Sequence, residues 1–278
     1  MIHKCLFPAA GYGTRFLPAT KAQPKEMLPI VTKPLIQYGV EEAIAAGMRD
    51  IAIVTGRNKR AIEDHFDLTY ELEHQISGTK GEENLRGIRE IIKRCTFSYT
   101  RQQQMRGLGD AILTGEPLIG NMPFGVILAD DLCINDADGQ DYGVMAQMVE
   151  VYNKYRCSVV AVEEVPRDEV HKYGIVAGQA IDDDHMMIKS MVEKPSADAA
   201  PSNLAIIGRY ILTPDIFDTL RHTEPGRGGE VQITDALQQQ AERGMVIAYR
   251  FKGQRFDCGG IDGFVAATNH FYQKTLHD

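Results

Sequence analysis

Paired cysteines and long apolar runs are both missing from this 278-residue sequence. Its five cysteines lie too far apart for a CxxC zinc or redox motif or for a small disulfide framework, so we expect a reducing, cytoplasmic compartment. No stretch approaches the ~20 apolar residues that a membrane helix needs. The N-terminal MIHKCLF carries no cleavage signature. We therefore expect no membrane partner.

Excess positive charge and metal-binding histidine spacings are also lacking. The formal net charge is -8, whereas a nucleic-acid-binding protein normally presents a basic face, so we expect no nucleic-acid partner. The eight histidines show no HxxxH or HExxH spacing, and none is expected to bind zinc or act in catalysis. Any anionic ligand must then be held by lysines and arginines that are gathered locally.

Two common phosphate-binding fingerprints are absent as well. A dinucleotide site of the GxGxxG type would need glycine at position 16, where the chain has Phe16. The Walker sequence GxxxxGK[ST] does not occur either. A nucleotide site in this chain must be built in another way.

What the sequence does contain is an alternation of short apolar runs and helix-like patterns over the first 165 residues. This alternation predicts an α/β fold, a Rossmann-like three-layer sandwich around a mixed, mostly parallel sheet. From about Tyr173 the segments become strand-rich, and no Pro/Gly/Ser linker sets them apart. We expect a single domain over 1–278, with a small strand-rich insertion at 166–260 and a C-terminal helix at 261–278.

Two local predictions are specific. A helix should lie between Pro34, which suits a first turn, and Gly47, which suits a C-terminal stop. Its apolar face is Leu35, Ile36, Val40 and Ile44. The segment from 69 to 84 is polar and compatible with an exposed helix.

The loop after the first apolar run, FPAAGYGTRFLPATKAQPKEMLP, is rich in glycine, proline and basic residues. Gly11 and Gly13 allow backbone conformations closed to other residues and let main-chain N–H groups approach phosphate oxygens. A flexible surface turn is the alternative, but the prolines fix φ at several points and indicate a rigid loop. The basic side chains expected to meet a triphosphate are Arg15, Lys21 and Lys25.

Acidic residues follow two other apolar runs. FGVILADDL ends in Asp130 and Asp131, and RFDCGG repeats the pattern with Asp257. Two remote acids at strand ends suggest a shared Mg²⁺, a hard ion that prefers one or two carboxylates with phosphate oxygens and water. The alternative is a strand-ending Asx turn or a helix cap.

Glu193 and Lys194 are neighbours in MVEKP and would point to opposite faces of a continuous strand. Pro195 favours an end of the strand at this point. An exposed strand terminus is the alternative interpretation of the same residues.

The run GYGTRFLPATKAQPKEMLP resembles the signature of the sugar-phosphate nucleotidyltransferases, and with KPLIQY it is similar to their bacterial uridylyl-transferring branch. The resemblance continues through RQQQMRGLGDA, ILADD, KYG, MVEKP, GEVQITDA and FDCGG, so it spans nearly the whole chain. It implies transfer of a uridylyl group from UTP to glucose 1-phosphate, with Mg²⁺ as cofactor. It also implies that 1–165 binds nucleotide and 166–260 binds sugar, and it suggests a homo-oligomer, a dimer or tetramer.

The resemblance further implies roles for single residues. The catalytic residues would be Arg15 and Lys25, which clamp the triphosphate, and Lys194, which holds the sugar phosphate. The nucleotide-binding residues would be Ala10, Gly11, Gly13, Gln102 and Gly107. The sugar-binding residues would be Asp131, Gly174 and Glu193, and the metal ligands would be Asp130 and Asp257. The Gln102 amide can offer both a donor and an acceptor to the imide edge of uracil or thymine.

Several alternatives stay open. Asp110 stands where the family usually has histidine; it either caps a helix, which we favour, or faces phosphate and repels it. The residues Glu230, Gln232, Thr234 and Asp235 form either a polar rim of the site or, as we favour, a helix entrance capped by Thr234. A thymidylyl- or cytidylyltransferase and a catalytically silent sugar-nucleotide-binding regulator remain alternatives for the whole chain.

Overall fold

The computed structural model describes residues 2–135 and 143–276. Its strands are β1 (Lys4–Pro8), β2 (Pro29–Ile30), β3 (Lys33–Pro34), β4 (Asp50–Thr55), β5 (Thr96–Arg101), β6 (Phe124–Ile127), β7 (Asp131–Ile134), β8 (Ser158–Glu164), β9 (Gly174–Ala180), β10 (His185–Glu193), β11 (Leu204–Leu212), β12 (Val246–Arg250) and β13 (Gln254–Asp257). Its α-helices are α1 (Leu35–Ala45), α2 (Arg60–His65), α3 (Tyr70–Ile76), α4 (Lys80–Asn84), α5 (Arg86–Arg94), α6 (Leu108–Thr114), α7 (Glu116–Ile119), α8 (Val144–Tyr155), α9 (Ile216–His222), α10 (Ile233–Glu242) and α11 (Ile261–Thr275).

Nine of the strands form one mixed sheet, in the order β5-β4-β1-β6-β11-β8-β12-β10-β9. Only β10 and β11 run against the other strands of this sheet in the described chain. The expected parallel majority therefore holds for strand direction. It is wrong for strand pairing, because five of the nine pairings described in this sheet are antiparallel, including those of β11 with β6 and β8.

The strand-rich part of the chain is built into the main sheet, since β9, β10, β11 and β12 are all among its nine strands. β9 pairs with β10 and also with the first residues of β11, where Leu204 opposes Val176 and Ala205 opposes Ile175. The same two residues of β11 pair with β8 on their other side. Strands β11, β8, β12, β10 and β9 thus close into a ring of backbone hydrogen bonds.

Alternating side chains send two apolar clusters to opposite faces of the sheet. On β1, Cys5 and Phe7 join the cluster that α1 and α8 cover, whereas Leu6 joins the cluster that α6, α9 and α10 cover. A third cluster lies under α11 and includes Phe256 and Ala267. No described helix combines the length and the apolar character needed to cross a bilayer.

Both local predictions are confirmed. Helix α1 begins directly after Pro34, Gly47 follows it with a φ of 91°, and the four residues of its predicted apolar face are buried. The polar segment at 69–84 forms α3 and α4, neither of which has a buried residue.

A buried ion pair links three elements next to the turn between β6 and β7. Arg209 on β11 is 1% exposed, and its guanidinium donates to both carboxylate oxygens of Glu42 on α1, at 2.8 to 3.2 Å. Glu42 also accepts the backbone N–H of Met145 at the start of α8. The remaining guanidinium nitrogen donates to the carbonyls of Leu128 and Gly208. This pair therefore supports the turn that carries Asp130.

Replacing Glu42 with glutamine should destabilise the fold strongly, because the Arg209 charge would stay buried without a counter-charge. We expect a loss of about 3–5 kcal/mol in the free energy of unfolding, measured by urea denaturation. The matched control is Asp64→Asn, which removes an exposed i,i+4 pair with Arg60 and should change stability by less than ~0.5 kcal/mol. Equal losses in the two variants would contradict this account of the buried pair.

Candidate active site

The loop between β1 and β2 is built from three short 3-10 turns, Thr14–Phe16, Ala19–Lys21 and Lys25–Met27. Gly13 has a φ of 67°, and a Cβ there would lie 3.0 Å from the Cβ of Lys25, so both conformation and space require glycine. Gly11 differs from the expectation. Its φ is not left-handed, and a Cβ there would meet nothing within 4 Å. The prediction that glycine is needed for a backbone conformation closed to other residues is therefore confirmed for Gly13 and wrong for Gly11.

Lys25 makes the central contact of the site: its Nζ donates to Oδ2 of Asp130 at 2.5 Å. Burial alone would raise the pKa of Asp130, but the neighbouring ammonium outweighs burial and holds that pKa below its ordinary value. In the same way burial would lower the pKa of Lys25, and Asp130 raises it instead. Both groups are therefore charged at neutral pH.

A second ion pair, between Glu26 and Lys59, holds the backbone turn that carries Lys25. Glu26 and Lys59 are 1% and 5% exposed, and Lys59 Nζ lies 2.7 Å from Glu26 Oε2. Lys59 follows β4, so the pair ties the last 3-10 turn of the loop to the neighbouring strand. Neither residue could be predicted from the sequence, since neither lies at a recognisable spacing from the loop glycines.

Gly259 marks the point where three predicted residues converge. A Cβ on Gly259 would lie 3.0 Å from Asp130 Oδ2, 3.0 Å from Asp257 Oδ1 and 3.2 Å from Arg15 Nη1. Arg15 Nη1 also donates to the Gly259 carbonyl at 3.2 Å. Two carboxylates and a guanidinium from three distant parts of the chain therefore meet around one small residue.

The two acids are brought together by the ribbon of β7 and β13, in which Asp131 opposes Asp257. Asp131 lines the cleft, but its carboxylate is already engaged by the protein. Its Oδ2 accepts the Gly208 N–H at 2.6 Å and its Oδ1 accepts Arg255 Nε at 2.7 Å. Its predicted contact with sugar gains no support from this geometry, which instead gives Asp131 a structural role.

Arg255 is a site residue that the sequence analysis missed. Its guanidinium contacts three carboxylates, those of Asp131, Glu163 and Asp257, and lies over the ring of Tyr173. Tyr173 in turn donates to Asp257 Oδ2 at 3.1 Å. The signal was present in RFDCGG, because residues two apart on a strand share a face and Arg255 stands two before Asp257.

On the opposite wall, Glu193 and Lys194 face one cavity, because β10 ends at Glu193 as Pro195 predicted. Lys194 has a left-handed φ of 46°, an uncommon conformation for a residue with a side chain. Its Nζ lies 3.3 Å from Glu193 Oε1. A Cβ on Gly174 would lie 3.2 Å from Glu193 Oε2, so glycine leaves this carboxylate accessible.

Thr234 overturns another expectation. Helix α10 begins at Ile233 with Gln232 at its N-cap, so Thr234 does not cap the helix. Instead its hydroxyl donates to Glu193 Oε2 at 2.6 Å. Glu230, Gln232 and Thr234 all line the cleft, as the polar-rim interpretation expects. They also stand at the start of α10, so the favoured helix entrance holds and only its cap at Thr234 is wrong.

Asp110 is neither a helix cap nor a neighbour of the phosphate cations. Helix α6 begins at Leu108, with Gly107 at its N-cap and no side-chain cap. Asp110 is the third residue of the helix and accepts from Gln102 at 2.7 Å and Arg106 at 2.9 Å. The favoured helix cap is therefore wrong, and the phosphate-facing alternative gains no support, because both carboxylate oxygens are engaged within the protein. Its partner Gln102 is itself a predicted base-binding residue.

Two adjoining cavities form the cleft. The larger, of about 660 Å³, is lined by the predicted residues Arg15, Asp130, Asp131, Gly174, Glu193, Lys194 and Asp257. The smaller, of about 280 Å³, is lined by Ala10, Gly11, Lys25, Gln102, Gly107 and Asp130. Asp130 thus borders both. Gly13 lines neither and acts through its packing on Lys25, and Lys21, which is exposed, is not brought to the cleft.

Glu230 lines both cavities, and Gly107 of the smaller one packs against it. Gly107 has a φ of 95°, and a Cβ there would lie only 2.8 Å from Glu230 Cβ and from the carbonyl oxygen of Val231. The backbone of Val231 bonds to Arg106 and Gly109. Glycine is needed here so that the segment before α10 can pack on the turn before α6.

Residues 6–274 match the family described as Nucleotidyl transferase. The chain belongs to this nucleotidyl transferase family. Its cleft, with a glycine-bearing loop on one side and carboxylates at the centre, is thus the candidate active site of a nucleotidyltransferase.

Individual members of the family are very similar to the chain. A UTP–glucose-1-phosphate uridylyltransferase of Pseudomonas aeruginosa is 65% identical over 99% of this chain and 97% of its own length. A crystal structure of apo UDP-glucose pyrophosphorylase has a TM-score of 0.94 at 62% identity, covering 99% of this chain and 100% of its own. A UDP-glucose pyrophosphorylase complexed with UDP-glucose has a TM-score of 0.91 at 59% identity, with the same coverage.

Replacing Lys25 with methionine should destabilise the fold in a pH-dependent way. The lowered pKa of Asp130 contributes stability above its unfolded-state pKa of about 3.9, and this contribution is lost as pH falls through the folded value. In the variant, burial would instead raise that pKa, which costs stability at neutral pH and costs nothing once the carboxyl is protonated in both states.

We therefore expect the variant to lose about 1–3 kcal/mol at pH 7 and clearly less at pH 4, measured by urea unfolding at each pH. Lys33→Met is the control, since its pair with Glu41 is at the surface and should contribute little at either pH. A loss of equal size at both pH values would show that Lys25 does not set the pKa of Asp130.

Proposed function

We propose that the chain transfers a uridylyl group from UTP to glucose 1-phosphate, giving UDP-glucose and pyrophosphate. The observation that carries this proposal is the position of Asp130, which lines both cavities of the cleft. Predicted nucleotide-binding residues line one cavity and predicted sugar-binding residues line the other. The reacting phosphates would therefore meet where the cavities join. The names of the similar proteins support UTP and glucose 1-phosphate as the substrates.

The reaction needs no side-chain base. A phosphate oxygen of glucose 1-phosphate is already ionised at neutral pH, and it attacks the α-phosphorus of UTP in line. A new oxygen–phosphorus bond forms while the bond from the α-phosphorus to the bridging oxygen breaks, and pyrophosphate leaves with that electron pair. The protein's contribution is to hold two polyanions together and to neutralise their charge.

Three cations of the cleft suit that task. Arg15 lies beside Asp130 and Asp257, and Lys25 lies on the nucleotide side, so the two can bind the triphosphate from opposite sides. Lys194 lines the larger cavity and can bind the sugar phosphate. The Lys25 ammonium already contacts the Asp130 carboxylate, and a bound phosphate would be a second anion that attracts it.

The convergence of Asp130 and Asp257 at Gly259 fits Mg²⁺, and we propose that these two residues would hold it. No group of three or more potential ligands occurs among the described His, Cys, Asp and Glu residues. Two carboxylates with phosphate oxygens and water are, however, the set that Mg²⁺ prefers. When bound there, the ion would neutralise the charge that builds on the transferred phosphoryl group.

For the other ligands we keep the roles that the family resemblance implies. The accessible carboxylate of Glu193, flanked by Gly174 and oriented by Thr234, is suited to accept hydrogen bonds from sugar hydroxyls. Ala10, Gly11, Gln102 and Gly107 are suited to surround the base. We propose a Rossmann-like three-layer arrangement in one domain over 1–278. In it 1–165 forms the nucleotide side, 166–260 the sugar side and 261–278 the terminal helix.

We also propose that the chain acts as a homo-oligomer, a dimer or tetramer, in the cytoplasm, where UTP is available. Exposed apolar side chains along α11, at Ile261, Val265 and Tyr272, support an interface there. The cations and acids needed for transfer share one cleft, which argues against a silent regulator. The names of the similar proteins favour uridylyl over thymidylyl or cytidylyl transfer.

Release of pyrophosphate tests the activity. The chain with UTP, glucose 1-phosphate and Mg²⁺ should release pyrophosphate and form UDP-glucose in equal amounts, and omission of any one component should abolish both products. Pyrophosphate measured by a coupled assay and UDP-glucose measured by chromatography give two independent readouts. No product with UTP, but product with dTTP or CTP, would overturn the assignment.

Replacing Gly259 with alanine should impair turnover without unfolding the chain. The new Cβ would press on Asp130, Asp257 and Arg15 at 3.0 to 3.2 Å, so these groups would have to shift by a few tenths of an ångström. We expect kcat to fall roughly tenfold or more, and half-maximal activity to require more Mg²⁺. Gly87→Ala is the control, because a Cβ at that exposed helix position meets nothing within 4 Å. Wild-type turnover and Mg²⁺ dependence in the Gly259 variant would count against this metal site.

A further inference from the structure

The side-chain amide of Gln102 is held in one orientation. Gln102 is 4% exposed, and its Nε2 donates to Asp110 Oδ2 at 2.7 Å and to the Gly107 carbonyl at 3.3 Å. A carboxylate and a carbonyl oxygen can only accept hydrogen bonds. Both amide protons of Gln102 are therefore used within the protein, and the opposite flip would set its oxygen against two acceptors.

This arrangement corrects the expectation that Gln102 offers a ligand both a donor and an acceptor. Only Oε1 of its side chain is left to interact with a ligand, and Gln102 lines the 280 Å³ cavity together with Ala10 and Gly11. An acceptor in that position suits a base that carries an N–H on its pairing edge. Uracil has such a donor at N3, whereas cytosine has a lone pair there and would face Oε1 with acceptor against acceptor.

We propose that Asp110 is a specificity-determining positioning residue, which fixes the Gln102 amide so that the site takes UTP and rejects CTP. Asp110 lines neither cavity, so it acts through Gln102 and not by touching the base. This inference rests on the proposed uridylyl transfer and adds to it the group that selects the base.

The other contact of Asp110 provides a matched control. Arg106 donates to Oδ1 of the same carboxylate at 2.9 Å, but its side chain is 61% exposed and the two residues form a surface i,i+4 pair. Removing that pair leaves Oδ2 and its bond to Gln102 in place, and exposed pairs of this kind contribute little. Arg106→Gln should therefore leave base selection unchanged.

Asp110→Asn is the test variant. Asparagine is similar in size but can donate as well as accept, so the shorter of the two contacts that fix the Gln102 amide no longer opposes a flip, and only the 3.3 Å contact with the Gly107 carbonyl still does. We expect the ratio of kcat/KM for UTP to kcat/KM for CTP to fall by about tenfold or more, with the KM for UTP raised. Asp110→Ser, which can also donate or accept, should lower the ratio too and serves if the asparagine variant does not fold. Melting temperatures identify the folded variants.

Three outcomes would contradict the inference, and they distinguish an error in the proposed function from an error in the role of Asp110. Failure of the wild-type chain to use UTP would overturn the proposed function itself. A wild-type preference for UTP that survives within twofold in folded Asp110 variants would overturn the role of Asp110 alone. An equal fall of the ratio in Arg106→Gln would also overturn it, because loss of the surface pair would then explain the effect. A fall confined to the Asp110 variants supports the inference.

Discussion

The contact between Lys25 and Asp130 organises the cleft. A cation from the loop after β1 and an anion from the turn after β6 neutralise each other there, at the place where the two cavities join. Each is held from behind by a buried ion pair: Glu26 with Lys59 behind the loop, and Glu42 with Arg209 behind the turn that carries Asp130. The site is thus charged and preorganised before any ligand binds, as electrostatic catalysis requires.

The chain carries a net charge of -8, and its proposed substrates are also anions, so the cleft must offset the repulsion between them. The net charge of -8 is spread over the whole molecule, whereas the cleft gathers Arg15, Lys25 and Lys194 around two central acids. Arg255 offsets the charge of the acids that crowd the β7–β13 ribbon. The bases and acids that line the cleft are equal in number, so phosphate groups would meet a neutral lining in place of the net negative charge of the whole protein.

The sequence predicted what depends on local pattern. The boundaries and buried face of α1, the end of β10 after Glu193 and the need for glycine at position 13 all follow from periodicity, proline and backbone geometry. What it did not predict depends on side chains that meet across long separations. Thr234 reaches Glu193 across 41 residues, and Arg255 reaches Glu163 across 92. No spacing rule encodes such pairs, because the tertiary fold decides which residues become neighbours.

The double pairing of β9 limits how the enzyme can admit and release its substrates. The strand before Lys194 and the strand after Gly174 are bonded to each other, and the ring that contains them is closed through β11 and β12. A rigid-body rotation of β9 and β10 away from the rest of the sheet would require many backbone hydrogen bonds to break at once. Exchange of substrate and product then depends on rotamer changes and on movements of the loops and turns outside this ring, and not on a hinge within it.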